Sequence, residues 1–372
     1  MSKLSKQVLC FLSVAAVMVL APAGLCAQVR FAYDVDFETH FDNGEYARSD
    51  FKPSSTIFGA RINPMVGFTV ENSSGSHKLM AGFDVTREFA DEMEGRKYIY
   101  DLDFYYIYSR QIRKVNMSVT AGIFPRRFST GNWSTAFFSD RFLFYNPYMT
   151  GILLSWKRPA SRFEFGCDWM WKKSDTRREK FMLFSSGEGN VTDWLVLGYS
   201  AYMLHYASSF SVIGVCDNIL AEPYARFDFA GMSGLQELSI TAAWLQAMQR
   251  DRVQGDGFVA PYCGDVTFRI KHWGVGIEDR TFVGKDIMPM YRQTDPIGIV
   301  YGSSLYLGDP FFQSPFYNRL NIFYAPRICR GVDIKAEVIF HFHKSGMVGN
   351  QQMIGVSVNL SELLEGIKEK KS

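Results

Sequence analysis

Apolar and polar residues alternate one for one along most of this chain. In residues 162–172 (RFEFGCDWMWK), Phe163, Phe165, Cys167, Trp169 and Trp171 share one parity, and Arg162, Glu164, Asp168 and Lys172 share the other. Val29, Phe31, Tyr33, Val35 and Phe37 alternate with Arg30, Asp34, Asp36 and Glu38. Tyr98, Tyr100, Leu102, Phe104, Tyr106 and Tyr108 alternate with Asp101 and Asp103. Val332, Ile334, Ala336, Val338, Phe340 and Phe342 alternate with Asp333, Lys335, Glu337, His341 and His343. A period of two puts each set on its own face of a β-strand. The runs last about ten residues, enough for a tilted strand to cross a bilayer, whereas strands of soluble domains average about five or six.

Counted from both ends, the pattern predicts upward strands near 29–41, 78–89, 115–124, 161–172, 194–206, 236–247, 275–283 and 332–343. Downward strands fall near 57–70, 97–109, 150–157, 179–186, 220–230, 262–271, 316–326 and 351–360. Short turns (72–76, 110–113, 158–160, 187–192, 231–235, 271–274, 327–331) alternate with longer connections (42–55, 90–96, 125–149, 173–179, 248–261, 284–315, 344–350). Parity closes only if 207–230 holds one crossing strand and one surface loop. The expected fold is all-β: a closed antiparallel transmembrane β-barrel of about sixteen strands, with fourteen or eighteen as neighbouring counts. A soluble sandwich, propeller or lectin also alternates, but it needs no uniform ten-residue strands, and no 40–50-residue repeat marks a propeller here.

The start of the chain reads as an export signal. Lys3 and Lys6 precede the apolar run Val8–Ala21, which is too short to span a bilayer, and Pro22 and Gly24 lead to a cleavage site after Ala27. Cys26 raises lipidation as the alternative, but Leu25 before it is a poor fit for the small residue that site wants. The expected layout is a signal peptide (1–27), a barrel (28–360) and a periplasmic tail (361–372), with the mature chain in the outer membrane. Cleavage removes two lysines and no acid, leaving basic and acidic residues equal in number. That balance gives no reason to expect nucleic acid as a partner. Cys167, Cys216, Cys263 and Cys329 are dispersed, with no metal-ligand spacing, and no obligatory disulfide is expected.

With the signal, the length and the strand arrangement on the page, the chain resembles porin-type outer-membrane barrels of Gram-negative bacteria. MIGVSVNL at 353–360 has Gly355, Val358 and Leu360 spaced like the terminal strand signal read by the barrel-assembly machinery, with Leu360 where porins carry Phe. FPRRFSTGNWSTAFFSDRFLFYNP and REKFMLFSSG resemble segments of uncharacterised Bacteroidota barrels. The resemblance implies outer-membrane lipid and the assembly machinery as partners, with small polar solutes in the lumen. It does not give the solute or the oligomeric state.

Loop 125–149 is unusually aromatic for a solvated connection. It carries Arg126, Arg127, Asp140, Arg141 and Tyr145 among many rings. Folded inward, it would narrow the lumen and present guanidinium groups to anions; folded outward, it would cap the barrel against 284–315. The lumen face is expected to carry both signs, including Asp101, Asp103, Arg162, Glu164, Asp168, Arg226, Asp333, Lys335 and Glu337. His343 and Ser345 resemble the H-x-S pair of outer-membrane phospholipases, but the flanking pattern is missing. HExxH, GxSxG, P-loop and EF-hand motifs do not occur. No cofactor, metal or catalytic residue is expected.

Overall fold

The computed structural model describes residues 28–369, except 48, 90–98 and 256. The signal segment 1–27, Tyr98 and the last three residues lie outside the described residues. The strands are β1 (Gln28–Glu45), β2 (Ser55–Asn72), β3 (Gly75–Glu88), β4 (Ile99–Ile112), β5 (Val115–Pro125), β6 (Tyr148–Arg158), β7 (Ser161–Trp171) and β8 (Lys180–Asn190). They continue as β9 (Leu195–Tyr206), β10 (Cys216–Asp228), β11 (Glu237–Asp251), β12 (Tyr262–His272), β13 (Val275–Gly284), β14 (Phe316–Tyr324), β15 (Arg327–Cys329), β16 (Val332–His343) and β17 (Gly346–Asn359). Each neighbour is antiparallel, and β17 returns to pair with β1 from Asp36↔Asn359 to Glu45↔Asn350. β15 is a stub beyond Ala325-Pro326 that extends the line of β14, and both pair with β16. The wall is therefore a closed sixteen-strand barrel, as the parity argument requires.

Which face is which follows from two adjacent residues. Leu102 is 65% exposed and Asp103 is 0% exposed. A soluble β-domain would bury the leucine and hydrate the carboxylate. Here the apolar stripe faces outward all round the wall, with Phe31, Phe83, Phe104, Phe165, Trp169, Trp244 and Ile322 among its exposed members. From Asp36 upward the wall closes on itself without an unpaired sheet edge, and an apolar exterior is what a hydrocarbon solvent demands. Trp169 stacks on Phe181 and Trp194 on Phe227 on this outer surface. Among the described residues no helix is long and apolar enough to cross a membrane. Among the described residues Cys167, Cys216, Cys263 and Cys329 are free thiols.

Two boundaries and one facing differ from the sequence reading. The connection expected at 344–350 is a two-residue turn, because β17 starts at Gly346. Gly349 reads as a loop residue, yet it sits in the strand because the Tyr46 ring lies across it: a Cβ there would be 2.6 Å from the ring and 2.5 Å from the Glu45 carbonyl. β10 begins at Cys216 rather than 220. Its first turn of sequence is polar on both faces: Asn218 bonds the Leu305 carbonyl, and Asp217 meets His205, Arg250 and Arg252. That mixture erases the period-two contrast. Trp171 does not share the face of Trp169, because a register shift between Asp168 and Trp171 turns it into the lumen. There its ring lies under Lys180 and beside Tyr206.

Candidate functional site

The lumen is occupied by two connections that pack on each other. The first is the loop joining β5 to β6. Pro125 ends β5, and the next three residues form a single 3₁₀ turn. The Arg126 N–H bonds the Pro147 carbonyl (2.7 Å), tying the two ends of the loop together. Ser139 caps a short helix, Asp140–Tyr145, by accepting from the Phe142 N–H (3.1 Å). The second connection, between β13 and β14, turns through Asp309, which caps Pro310–Gln313.

The first loop crosses the lumen rather than capping it from outside. Ser129 and Thr130 bond Glu164 of β7 (3.0 and 2.7 Å). The Asn132 carbonyl accepts from Ser200 of β9, and Ser134 bonds Glu222 of β10. Trp133 packs on Phe184 of β8, and Phe144 stacks on His40 of β1. Asp140 faces Arg319 of β14 at 3.7 Å. The second loop lies above it, towards the upper strand ends. There Gln249 bonds the Ile287 carbonyl, and Phe311 packs against Tyr46, Tyr317 and His341. The two loops are stitched by Ser139 N–H to the Leu307 carbonyl (2.9 Å) and Asp309 N–H to the Thr135 carbonyl (2.8 Å). Phe137, Leu305, Phe311 and Phe312 are fully buried between them and the wall. Loop 125–149 is thus folded inward, and it meets the second loop inside the barrel, where that loop, expected outside, fills the upper lumen.

Beneath this plug a cavity of about 700 Å³ remains. Its roof is Arg126, Arg127, Trp133, Phe138, Asp140 and Phe144 of the first loop, and its mouth carries Asp333, Asn359 and Glu362 at the lower rim. The loop arginines divide sharply. Arg126 is buried and clamps the loop to the wall, donating to the Asn146 and Tyr148 carbonyls and to Asp168 (2.9, 2.8 and 2.7 Å). Arg127 is half-exposed to the cavity and pairs with Asp36. Arg141 is exposed, lies over the Tyr145 ring at 5.2 Å and does not line the cavity. The Tyr145 hydroxyl donates to Glu88 (2.6 Å). Burial, and then that carboxylate, push the phenol up to about 12, so it stays a neutral donor.

The predicted lumen charges sit inside, and most are neutralised. Glu164 and Asp168 hold the first loop, as above. Asp103 is fully buried and accepts from Asn63 (2.7 Å). Asp101 pairs across the ladder with Asp84 and is exposed. Arg162 and Arg226 share Glu188 at 3.4 and 3.1 Å. Lys335 pairs with Glu337 at 2.8 Å, and Asp333 lines the cavity. The sequence reading did not single out the cluster of Arg280 with Glu222 and Asp265, or the Arg178–Asp295 pair. Alternation alone would have turned Arg280 inward; nothing in one sequence ties it to its two carboxylates on other strands.

His343 and Ser345 do not form a catalytic pair. His343 is buried against Phe51 and Phe311, whereas Ser345 is exposed in the turn after the strand. Asn359 lies at the other end of β17, bonded to Asp34 and Asp36. Among the described residues no cluster of three metal-ligating side chains occurs.

Lys52 anchors the second loop. Its ammonium is 2.9 Å from the Asp309 carboxylate, whose other oxygen accepts from the Phe311 N–H (3.1 Å). Burial alone would raise this carboxyl, but the Lys52 charge and the hydrogen bonds outweigh it and hold it below the usual range. The anchored loop therefore binds fewer protons than a released one. Its stabilisation is complete above the ordinary aspartate value of about 3.9 and is lost as pH falls through the lower, anchored value. We expect bilayer conductance to be flat from neutral pH down to about 5 and to rise only below about 4. The Asp309→Asn variant should lose most of this response; the same acid response in that variant would assign the anchor elsewhere.

These features define a class: a closed sixteen-strand β-barrel with an apolar exterior, a lumen crossed by an inward loop and a cavity of mixed charged and apolar lining at one mouth. No protein-family model matches the sequence. No curated protein matches it either. Among solved structures, a loop-deletion form of OmpT, an outer membrane protein of Vibrio cholerae, superposes with a TM-score of 0.50 at 9% identity, covering 89% of this chain and 99% of that one. OprB of Pseudomonas putida gives 0.49 at 9% identity, covering 89% and 94%. A triple-mutant porin of Rhodopseudomonas blastica gives 0.44 at 10% identity, covering 89% and 100%. At such identities the likeness is one of fold.

Proposed function

We propose that this chain is an outer-membrane channel of porin type, exported by a signal peptide cleaved after Ala27, that passes small polar solutes with weak selectivity. The observation that carries the reading is a cavity with charged and apolar lining, set inside a barrel with an apolar outer wall and roofed by a charged, inward-folded loop. Barrels of sixteen strands are wide enough for an aqueous lumen. The likeness of two sequence stretches to Bacteroidota barrels, assembly by the barrel machinery and contact with outer-membrane lipid belong to the same proposal. Nothing in the geometry of His343 and Ser345 supports lipid hydrolysis.

A second reading has its own observation. Phe137, Phe311 and Phe312 are fully buried in the upper lumen, as expected of a barrel that is shut and serves as a surface or assembly element. Planar-bilayer recording separates the two: stepwise conductance supports the channel, and a correctly folded but silent barrel supports the second reading. Within the channel reading, Arg127 is the loop arginine offered to solutes. A charge at 4 Å is worth about 1 kcal/mol in water, so Arg127→Ala should move the anion-to-cation permeability ratio a few-fold towards cations. Arg141→Ala should leave it unchanged. An unaltered reversal potential in Arg127→Ala would remove the constriction role.

A further inference from the structure

The chain leaves the wall at β17 and turns directly into a helix, Leu360–Glu369. Its two sides have different surroundings. The Ser361 hydroxyl donates to Asp34 (2.7 Å), a residue of the inward face of β1. The Glu362 N–H is capped by Asn359 (2.9 Å), and Glu362 lines the cavity mouth. Glu365 pairs with Arg330 in the turn before β16 (2.8 Å). The polar side thus looks into the barrel opening. Leu360, Leu363, Leu364 and Ile367 recur at the three- and four-residue spacing that puts them on one stripe. That stripe is opposite the lumen-facing residues, and Leu360 and Ile367 are exposed.

The position of the helix explains why a stripe of this kind is there. β17 accompanies β1 only from Asp36 upward, so Gln28–Val35 pair with β2 alone. The helix packs against β1 just where β17 has ended. It lies beside the rim segment of β1 that β17 does not pair, tied there by the Ser361–Asp34 bond. The outward neighbours there, Val29, Phe31 and Ile328, are all exposed and apolar. Leu360 and Ile367 continue that band below the last rung of the β1–β17 ladder.

We propose that this helix is an interfacial anchor whose Leu360–Ile367 stripe lies in the acyl–headgroup boundary of the periplasmic leaflet, not a free periplasmic tail. Its occupant is phospholipid. An amphipathic helix at that depth buries its apolar side while its polar side stays wet. Here the wet side is the cavity mouth, so the helix holds the rim of the opening as well as the membrane. The inference rests on the membrane reading of the wall.

The test uses fluorescent labels on single cysteines, placed in the chain from Gln28 onward with Cys167, Cys216, Cys263 and Cys329 replaced by alanine and reconstituted in vesicles of brominated phosphatidylcholine. Phe31→Cys probes the wall, Ile367→Cys the stripe and Glu362→Cys the polar side. The expected result is strong lipid quenching at 31 and 367, several-fold above that at 362, with aqueous iodide giving the reverse order. Lipid quenching at 31 with equal iodide access at 367 and 362 would overturn the anchor and leave the barrel reading intact. A label at 367 shielded from both quenchers would also overturn it, placing the stripe under protein. Loss of lipid quenching at 31 would sink the membrane reading and the anchor with it.

Discussion

Gly308→Ala is expected to unlatch the plug and raise conductance, with the wall unchanged. The two lumen loops cross at this residue with no room for a side chain. A Cβ on Gly308 would sit 2.0 Å from the Ala136 carbonyl oxygen and 3.1 Å from that of Thr135. Both obstacles are backbone, so neither can swing aside as a side chain would. The residues flanking Gly308 make the stitches between the loops, Leu307 to Ser139 and Asp309 to Thr135. Any separation large enough to admit the methyl group breaks one or both. A buried group left unpaired costs about 1–3 kcal/mol, and each 1.4 kcal/mol is about tenfold in population. The shut-to-open ratio should therefore fall about five- to a hundredfold, read as more frequent or larger steps in planar bilayers. The wall ladder lies outside this crossing, so the melting of the barrel in detergent should move little. If the variant folds and its recordings match the parent, the crossing of the loops is not the gate.

The unequal legibility of the two parts of the molecule has a physical cause. Every wall strand appears at or near its expected place because hydrocarbon outside and polar groups inside impose opposite chemistry on successive residues, and one sequence displays that directly. The contrast fails where the outside is no longer hydrocarbon. Asp217 and Asn218, at the upper end of β10, are both polar because the strand there stands among rim arginines and loop backbone. It fails again at Trp171, where one register shift turns the last residue of the strand to the opposite face. The plug is a different matter. The aromatic content of 125–149 signalled that the loop needed burial, but not against what. Its partners, Glu164, Ser200, Glu222 and Arg319, come from four strands scattered along the chain, and only closure of the barrel brings them together. Arg126 shows the limit: its residue type suggested an anion-facing group, whereas its environment makes it a clamp on Asp168.

The largest loss of stability should follow Arg280→Met. Arg280 is buried in the lumen wall, with its guanidinium on Glu222 (2.9 Å) and Asp265 and its flat face 5.4 Å from the Phe312 ring centre. Glu222 in turn accepts from Ser134 of the first loop, so one cation holds two strands and reaches both storeys of the plug. Methionine keeps much of the volume but leaves two buried carboxylates facing each other. Breaking a buried ionic cluster from one side costs about 3–5 kcal/mol, enough to lower the thermal transition of the detergent-solubilised barrel clearly and to free the first loop near Ser134. The loss comes from the stranded charges rather than from a missing bond. The triple variant Arg280→Met, Glu222→Gln, Asp265→Asn should therefore recover most of it, since a neutral cluster of similar shape is often as stable as the ionic one. The non-additivity of the single and triple changes measures the coupling. A triple variant no more stable than Arg280→Met would mean that Arg280 acts through its packing on Phe312, and the electrostatic account of how the plug is held would fall.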